Sequence, residues 1–349
     1  MNRIDDYLTY YKDTTLDELV INDLDLAFFT SLSYLPISEF SKERNINSVL
    51  EEANEVKDPR LLSGMAGYSV KLLNIIKDSK RYKGLKLSNF VNVVNSQTQF
   101  GAIKIKFDTN TIISYKGTDN SLIGWKEDFR LSFMYPVYTQ GMAKKYLTDN
   151  INMFDKNIYL VGHSKGGNLA ISSAMEVKDK IFKKIKRIVN FDGPGLLEKE
   201  FKSDKFKKVK KLLVNYLPEN SVIGILMNNI EYHVVKADGV GFVSHNMSNW
   251  YTYGSFFQEG ELSIASKKIH ENNLLSLKYV NPKEIEKVIE TFYAVIENND
   301  IHKFSDIRKM NMKDLLKTIN DLTDVSKETK QYFIESMKIF LMPKKKETK

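Results

Sequence analysis

The sequence predicts a doubly wound α/β fold with a mainly parallel sheet, and three observations carry that expectation. Short β-branched apolar runs alternate with segments of helical period through the middle of the chain. The stretch YLVGHSKGGNLAIS, residues 159–172, sets Ser164 between Gly162 and Gly166, after an apolar run and before a helical pattern. The two flanks of the chain are helical in period and read as additions packed outside the sheet.

Taken in order, residues 22–37 space Leu24, Leu26, Phe28, Leu32 and Leu35 as a helix, which Pro36 should stop. A charged stretch, 41–60, leads to a second helical pattern with Leu61, Leu62, Met65, Leu72, Leu73 and Ile76. From Asn89 the period changes. FVNVVN, FGAIKIKF and TIISYKG are strand-like, and the turn formers DTN between the last two predict a hairpin. Helical spacing returns over 140–154, followed by the strand NIYLVG and the helix GGNLAISSAMEV. IKRIVNF and KKLLVNYL, each preceded by a helical segment, complete the alternation expected of right-handed crossovers. EYHVVKA then leads to a loop carrying His245 and Trp250, and helical period resumes from Pro282 through Phe340. The expected organisation is a helical segment over 1–88, an α/β core over 89–281 and a helical extension over 282–349.

Composition narrows the functional classes. A chain of 349 residues with 42% hydrophobic and 11% aromatic content buries a core, which excludes a disordered or fibrous class. Zero cysteines exclude thiol catalysis, disulfides and thiolate metal sites. The opening MNRIDDYLTYYKD lacks the apolar stretch of a secretory signal, and LAFFTSLSYLPI is too short to span a bilayer, so the expected compartment is the cytoplasm. Net charge is +8, with basic runs at 205–211 and in the tail PKKKETK. These read as a solvated helix face and a terminus. No aromatic-interleaved basic stripe points to nucleic acid, while peripheral contact with an anionic membrane stays open. No H-E-x-x-H, calcium-loop spacing, phosphate loop or dinucleotide fingerprint appears, so no metal and no cofactor is expected.

The G-x-S-x-G pentapeptide gains weight from its setting, because a nucleophile elbow needs a strand, a tight turn and a helix in immediate succession. The helix N-terminus then lends positive potential near Ser164 Oγ. Such a serine needs a base. Of the five histidines, His163 adjoins the serine and should point away, His233 sits in a strand, and His270 and His302 lie in the helical additions. His245, in a loop after the last sheet strand, is the expected proton shuttle. Chain order in such enzymes is serine, acid, histidine, which selects Glu219 after KKLLVNYL as the acid, with Asp192 in NFDGPG and Asp238 in KADGVG as competing carboxylates.

Together these segments resemble the class 3 lipases of the α/β-hydrolase superfamily, and a bacterial group of unassigned function related to them. GHSKGGNLA resembles their G-H-S-L-G-G-A-L-A, and ISYKGTDNSLIGWKEDF resembles their F-R-G-T segment with its following Trp and Asp. The resemblance implies an α/β-hydrolase fold and carboxylic ester hydrolysis through an acyl-enzyme, with an acyl lipid or similar ester as substrate. It implies an oxyanion hole from Thr118 and the backbone N–H of Lys165, with Trp125 and Asp128 holding that loop. Two departures stand out: Lys116 replaces the family's arginine, and Ser221 falls where the family carries its catalytic aspartate. The second departure makes a hydrolase-fold binding or scaffold protein the rival expectation. The flanking helices are placed to act as a lid.

Overall fold

The computed structural model describes residues 1–341 apart from 300, 302, 304, 305 and 308–311; His302 and the tail PKKKETK lie outside the described residues. Its strands are β1 (Asn2–Arg3), β2 (Arg44–Asn45), β3 (Lys86–Val94), β4 (Gln99–Phe107), β5 (Asn110–Tyr115), β6 (Ile158–His163), β7 (Ile185–Phe191), β8 (Leu213–Pro218), β9 (His233–Val235), β10 (Tyr251–Tyr253) and β11 (Phe256–Phe257). Strands β2 to β9 form one sheet in sequential order. The pairings from β2 to β5 are antiparallel and those from β5 to β9 parallel. The predicted hairpin is β4–β5, its turn taken by Asp108 in the left-handed region (φ 52°), a conformation that Asp tolerates well.

Successive strand residues point to opposite faces, and here both faces are apolar. Ile113, Leu160 and Ile188 face the Lys165–Glu176 and Tyr138–Asn150 helices, whereas Ile112, Val161 and Val189 face the N-terminal helices. Continuous apolar runs in β5, β6 and β7 follow from this sandwiching. The N-terminal Asp23–Ser31 helix is capped by Asn22, which accepts from Leu24 N and Asp25 N, and the chain leaves helical geometry before Pro36. A fully buried ion pair fixes that layer. Asp25 accepts from Arg81 Nη2 (2.6 Å) and Nε (3.1 Å) and from the hydroxyls of Tyr7 and Tyr82, while Arg81 Nη1 donates to Leu19 O at 2.7 Å.

Two boundaries differ from expectation for local reasons. The Tyr138–Asn150 helix ends four residues early, because Asn150 Nδ2 turns back to Tyr146 O and Asp155 captures Asn152 N. The C-terminal helices begin at Ile264 rather than Pro282, since Ser263 caps that earlier helix by accepting from Ser266 N. The helices Pro282–Glu297, Met312–Asn320 and Lys327–Leu341 enclose their own apolar cluster. Phe129 joins it to the sheet domain, and Arg130 pairs with Glu286 and Glu290, both at 2.7 Å. A second, three-stranded sheet sets β10 between β1 and β11.

Removing one partner of a buried pair strands the other charge. Arg81→Met is therefore expected to lower the unfolding free energy by about 3–5 kcal/mol, read as a lower urea midpoint with the slope unchanged.

Candidate active site

Strand β6 delivers Ser164 to a turn at φ 58°, ψ −134°, and the next helix starts at Lys165. A non-glycine residue there costs on the order of 1–3 kcal/mol, which surrounding contacts must hold in place. Ser164 N donates to Phe191 O (3.0 Å), and Gly167 N donates to Ser164 O (2.9 Å). Gly162 is required by close approach: a Cβ there would sit 2.1 Å from the Gly166 backbone. The Ser164 side chain does not cap the helix it precedes; it lines a cavity of about 620 Å³ that His245 also lines.

His245 ends the short Phe242–His245 helix, and its Nδ1 lies 2.6 Å from Asp192 Oδ2. A carboxylate only accepts, so Nδ1 carries the proton and neutral His245 keeps a lone pair on Nε2. Asp192 follows β7 at φ 50° and is fully buried; its other oxygen accepts from Ser221 Oγ and from Gly224 N (3.0 Å). The carboxylate paired with His245 is thus Asp192, one of the competing carboxylates, rather than Glu219. Glu219 lies at the end of β8, where its carboxylate packs over Gly260 and its backbone joins Val235 and Ser263. Asp238 is spent on Arg3 and Tyr251. Asp192 reaches His245 from the end of β7, one strand before the one that Glu219 follows, and Ser221 after β8 donates to it. The signal in the sequence was the D-G step directly after β7.

His163 is buried against His245, with ring centroids 4.4 Å apart. Its Nε2 donates to the His245 carbonyl (2.8 Å), so its Nδ1 accepts from Tyr34 Oη (3.0 Å), which itself accepts from Gly117 N (2.9 Å). Burial, and then the neighbouring His245, push the His163 pKa well below the ordinary value and keep the ring neutral. A chain of hydrogen bonds thus ties the loop before Thr118 to the backbone of His245. Tyr34, from the N-terminal layer, was not singled out in the sequence, because nothing in its local pattern distinguishes it from a core tyrosine. His233, exposed at the start of β9, lies beside Tyr216, and His270 meets Ile225 O; neither lines the cavity.

Thr118 follows β5 and Lys165 opens the helix, and together with Ser164 these two residues, expected as oxyanion donors, line the cavity. The Lys165 side chain turns away from it. Its ammonium, 1% exposed, donates to Gln99 O (3.0 Å) and Oε1 (2.8 Å) and lies 3.4 Å from Glu127 Oε2. Gln99 Nε2 in turn reaches Gly117 O at 3.3 Å. Trp125 and Asp128, from the Leu122–Leu131 helix, also line the cavity. Thr118 Oγ1 and Asp128 Oδ1 are both buried without completing a hydrogen bond, though the hydroxyl lies close enough to favour the charged carboxylate. Burial dominates and lifts the Asp128 pKa to about 6, against the attraction of Lys165. Among the described residues no cluster of metal-ligating side chains occurs.

A family model matches residues 76–294. The chain belongs to the Mbeg1-like family. Its mixed sheet, helical layers and strand–turn–helix at Ser164 form an α/β-hydrolase-like fold. No curated protein matches the chain. Among solved structures it is similar to M37 lipase at 17% identity, covering 60% of this chain and 70% of that one, with a TM-score of 0.38. It is also similar to a Rhizomucor miehei lipase propeptide complex (12% identity, 61% and 66% coverage, TM-score 0.37). A third is a fungal lipase–inhibitor complex (13% identity, 61% and 78%, TM-score 0.37). No helix of the described residues is long and apolar enough to cross a membrane.

The short His245–Asp192 bond should produce a far-downfield imidazole proton resonance in the wild type and in Glu219→Gln, and none in Asp192→Ala. The raised Asp128 pKa sets a second expectation. Its folded value lies above the unfolded one, so the charged carboxylate destabilises the fold above about pH 6 and that penalty fades as pH falls toward 4. Asp128→Asn should be more stable than wild type at pH 8, by an amount that shrinks to nothing near pH 4 in parallel urea titrations.

Proposed function

We propose that this Mbeg1-like protein is a serine hydrolase that cleaves carboxylic esters through an acyl-enzyme. One observation carries the reading: the imidazole that Asp192 orients shares a cavity with a serine held on a strained turn. In this reading Ser164 Oγ attacks the ester carbonyl carbon as His245 Nε2 takes the hydroxyl proton. The carbonyl π electrons move to oxygen, and the backbone N–H groups of Lys165 and Thr118 donate to that oxyanion. The intermediate collapses with loss of the alkoxide, which receives the proton from His245, leaving Ser164 acylated. Water activated by the same imidazole then releases the acid and restores the serine. Asp192 holds the tautomer and stabilises the imidazolium. The resemblance to class 3 lipases supports an acyl ester as substrate, and the largely apolar cavity suits one.

The rival reading as a binding or scaffold protein drew on the absent aspartate after β8. The hydrogen bond from His245 to Asp192 at the end of β7 supports the enzyme reading against it.

A fluorophosphonate probe should label the wild type at Ser164 and leave Ser164→Ala unlabelled, and p-nitrophenyl esters should be hydrolysed only by the former. Asp192→Asn, which loses the tautomer control, should lower kcat about 10⁴-fold while Glu219→Gln leaves it unchanged. A folded protein that never labels would instead support the scaffold.

A further inference from the structure

The cavity runs along the carboxyl edge of the sheet, and strand order fixes the sequence of its lining. Asn92 and Val94 come from β3, Lys116 and Asp119 follow β5, Ser164 follows β6, and Ile223, Leu226 and Met227 follow β8. The β8 side is apolar around the nucleophile and continues past Leu226, Asn273 and Tyr332 into an adjoining cavity of about 260 Å³. The β3 side carries an ammonium.

That ammonium is placed by construction. Lys116 N donates to Gly101 O, and the Lys116 side chain crosses β4 directly over Gly101, where a Cβ would lie 2.8 Å from Lys116 Cδ. Gly101 pairs with Asn92 across the β3–β4 ladder, so the missing side chain opens a trough that leads Nζ to Asn92 Oδ1 at 2.8 Å. The charge thereby sits away from β6, no more than three strand spacings of about 4.8 Å from the nucleophile's strand. Lys116 is only 9% exposed, and burial lowers its pKa, since the ammonium has given up water for one hydrogen bond. An ammonium has three donors. Asp119 Oδ2 stands 3.8 Å away, beyond hydrogen-bond reach, and Asp119 Oδ1 accepts from Ser121 N at 2.9 Å. Asp119 thus tempers the local charge without filling the ammonium's shell.

We propose that Lys116 is the anion-reading residue of the substrate site: the ester taken by this protein carries an oxyanion, phosphate or carboxylate, on its alcohol portion. The acyl chain lies on the β8 side and the anionic head on the β3 side, with the ester carbonyl between them at Ser164. This rests on the esterase reading for the position of the bond that breaks, but not for the binding of the head.

Binding is measured in Ser164→Ala, through the fluorescence of Trp125, one of two tryptophans and the one that lines the cavity. Three monomeric ligands with one acyl chain are compared: an acyl glycerol, an acyl glycerol phosphate and an acyl lactate. The anionic ligands should bind at least about tenfold more tightly than the neutral one, as expected for a charge-assisted hydrogen bond. Whichever of the phosphate and carboxylate ligands shows the larger preference identifies the head. Adding Lys116→Met should erase the preference, Lys116→Arg should keep it, and Asp119→Asn should enlarge it. Equal affinity for all three ligands, or a preference that survives Lys116→Met, overturns the proposal. A preference that follows Lys116 in a protein whose wild type neither labels with fluorophosphonate nor turns over esters sustains the anion site and sinks the esterase reading alone.

Discussion

The backbone of Ser164 cannot relax, and most of the site follows from that. At φ 58° a serine survives only where neighbours leave no alternative, and here Gly166 closes against Gly162 while Phe191 O and Gly167 N engage the serine's own peptide groups. The same contacts bring the end of β7 beside the turn. Asp192, directly after Phe191, is thereby presented to His245, and its own positive φ belongs to the same crowded junction. Strain at one residue and the location of the carboxylate are two results of one packing arrangement.

Around this junction, polar chains tie together segments that are remote in sequence. Tyr34 and His163 link Gly117 to the His245 backbone, and Lys165, Gln99 and Glu127 link the first turn of the Lys165–Glu176 helix to the same loop. Each chain has its donors matched to acceptors, which is the condition under which buried polarity rigidifies a site. Tyr34 lies outside the span matched by the family model, so the N-terminal layer contributes to site geometry and does more than cover one face of the sheet.

The alternation of strands and helices, the hairpin, the strand–turn–helix at Ser164 and the place of His245 beside its cavity were legible because each has a local signature: a period, a turn dipeptide, a glycine pair, a position after the last strand of the main sheet. The carboxylate was not. Glu219 and Asp192 both follow sheet strands, and what separates them is the backbone conformation at 192 and the donors of Ser221 and Gly224, which appear only once three loops are folded together. The start of the C-terminal helices was misread for the opposite reason, since Ser263 is a clear cap but the segment it opens, Ile264–Leu277, has little amphipathic contrast. Lys116 stood out as a departure from the family's arginine, but where its side chain travels shows only once Gly101 is packed beneath it.

The small sheet that sets β1 against β10 joins the opening residues of the chain to a segment just after His245. Thr252 Oγ1 donates to Arg3 O across 249 residues, and Arg3 also reaches Ser248 O, just past His245. Contacts of such long range are entropically expensive to close and are expected to form late. During synthesis the first residues must wait for the chain to emerge as far as Thr252, 249 positions after Arg3, before the segment around His245 acquires its final brace. A chain cut before residue 251 would lack this brace, so the segment that carries His245 would settle only after the strands around Ser164 are in place.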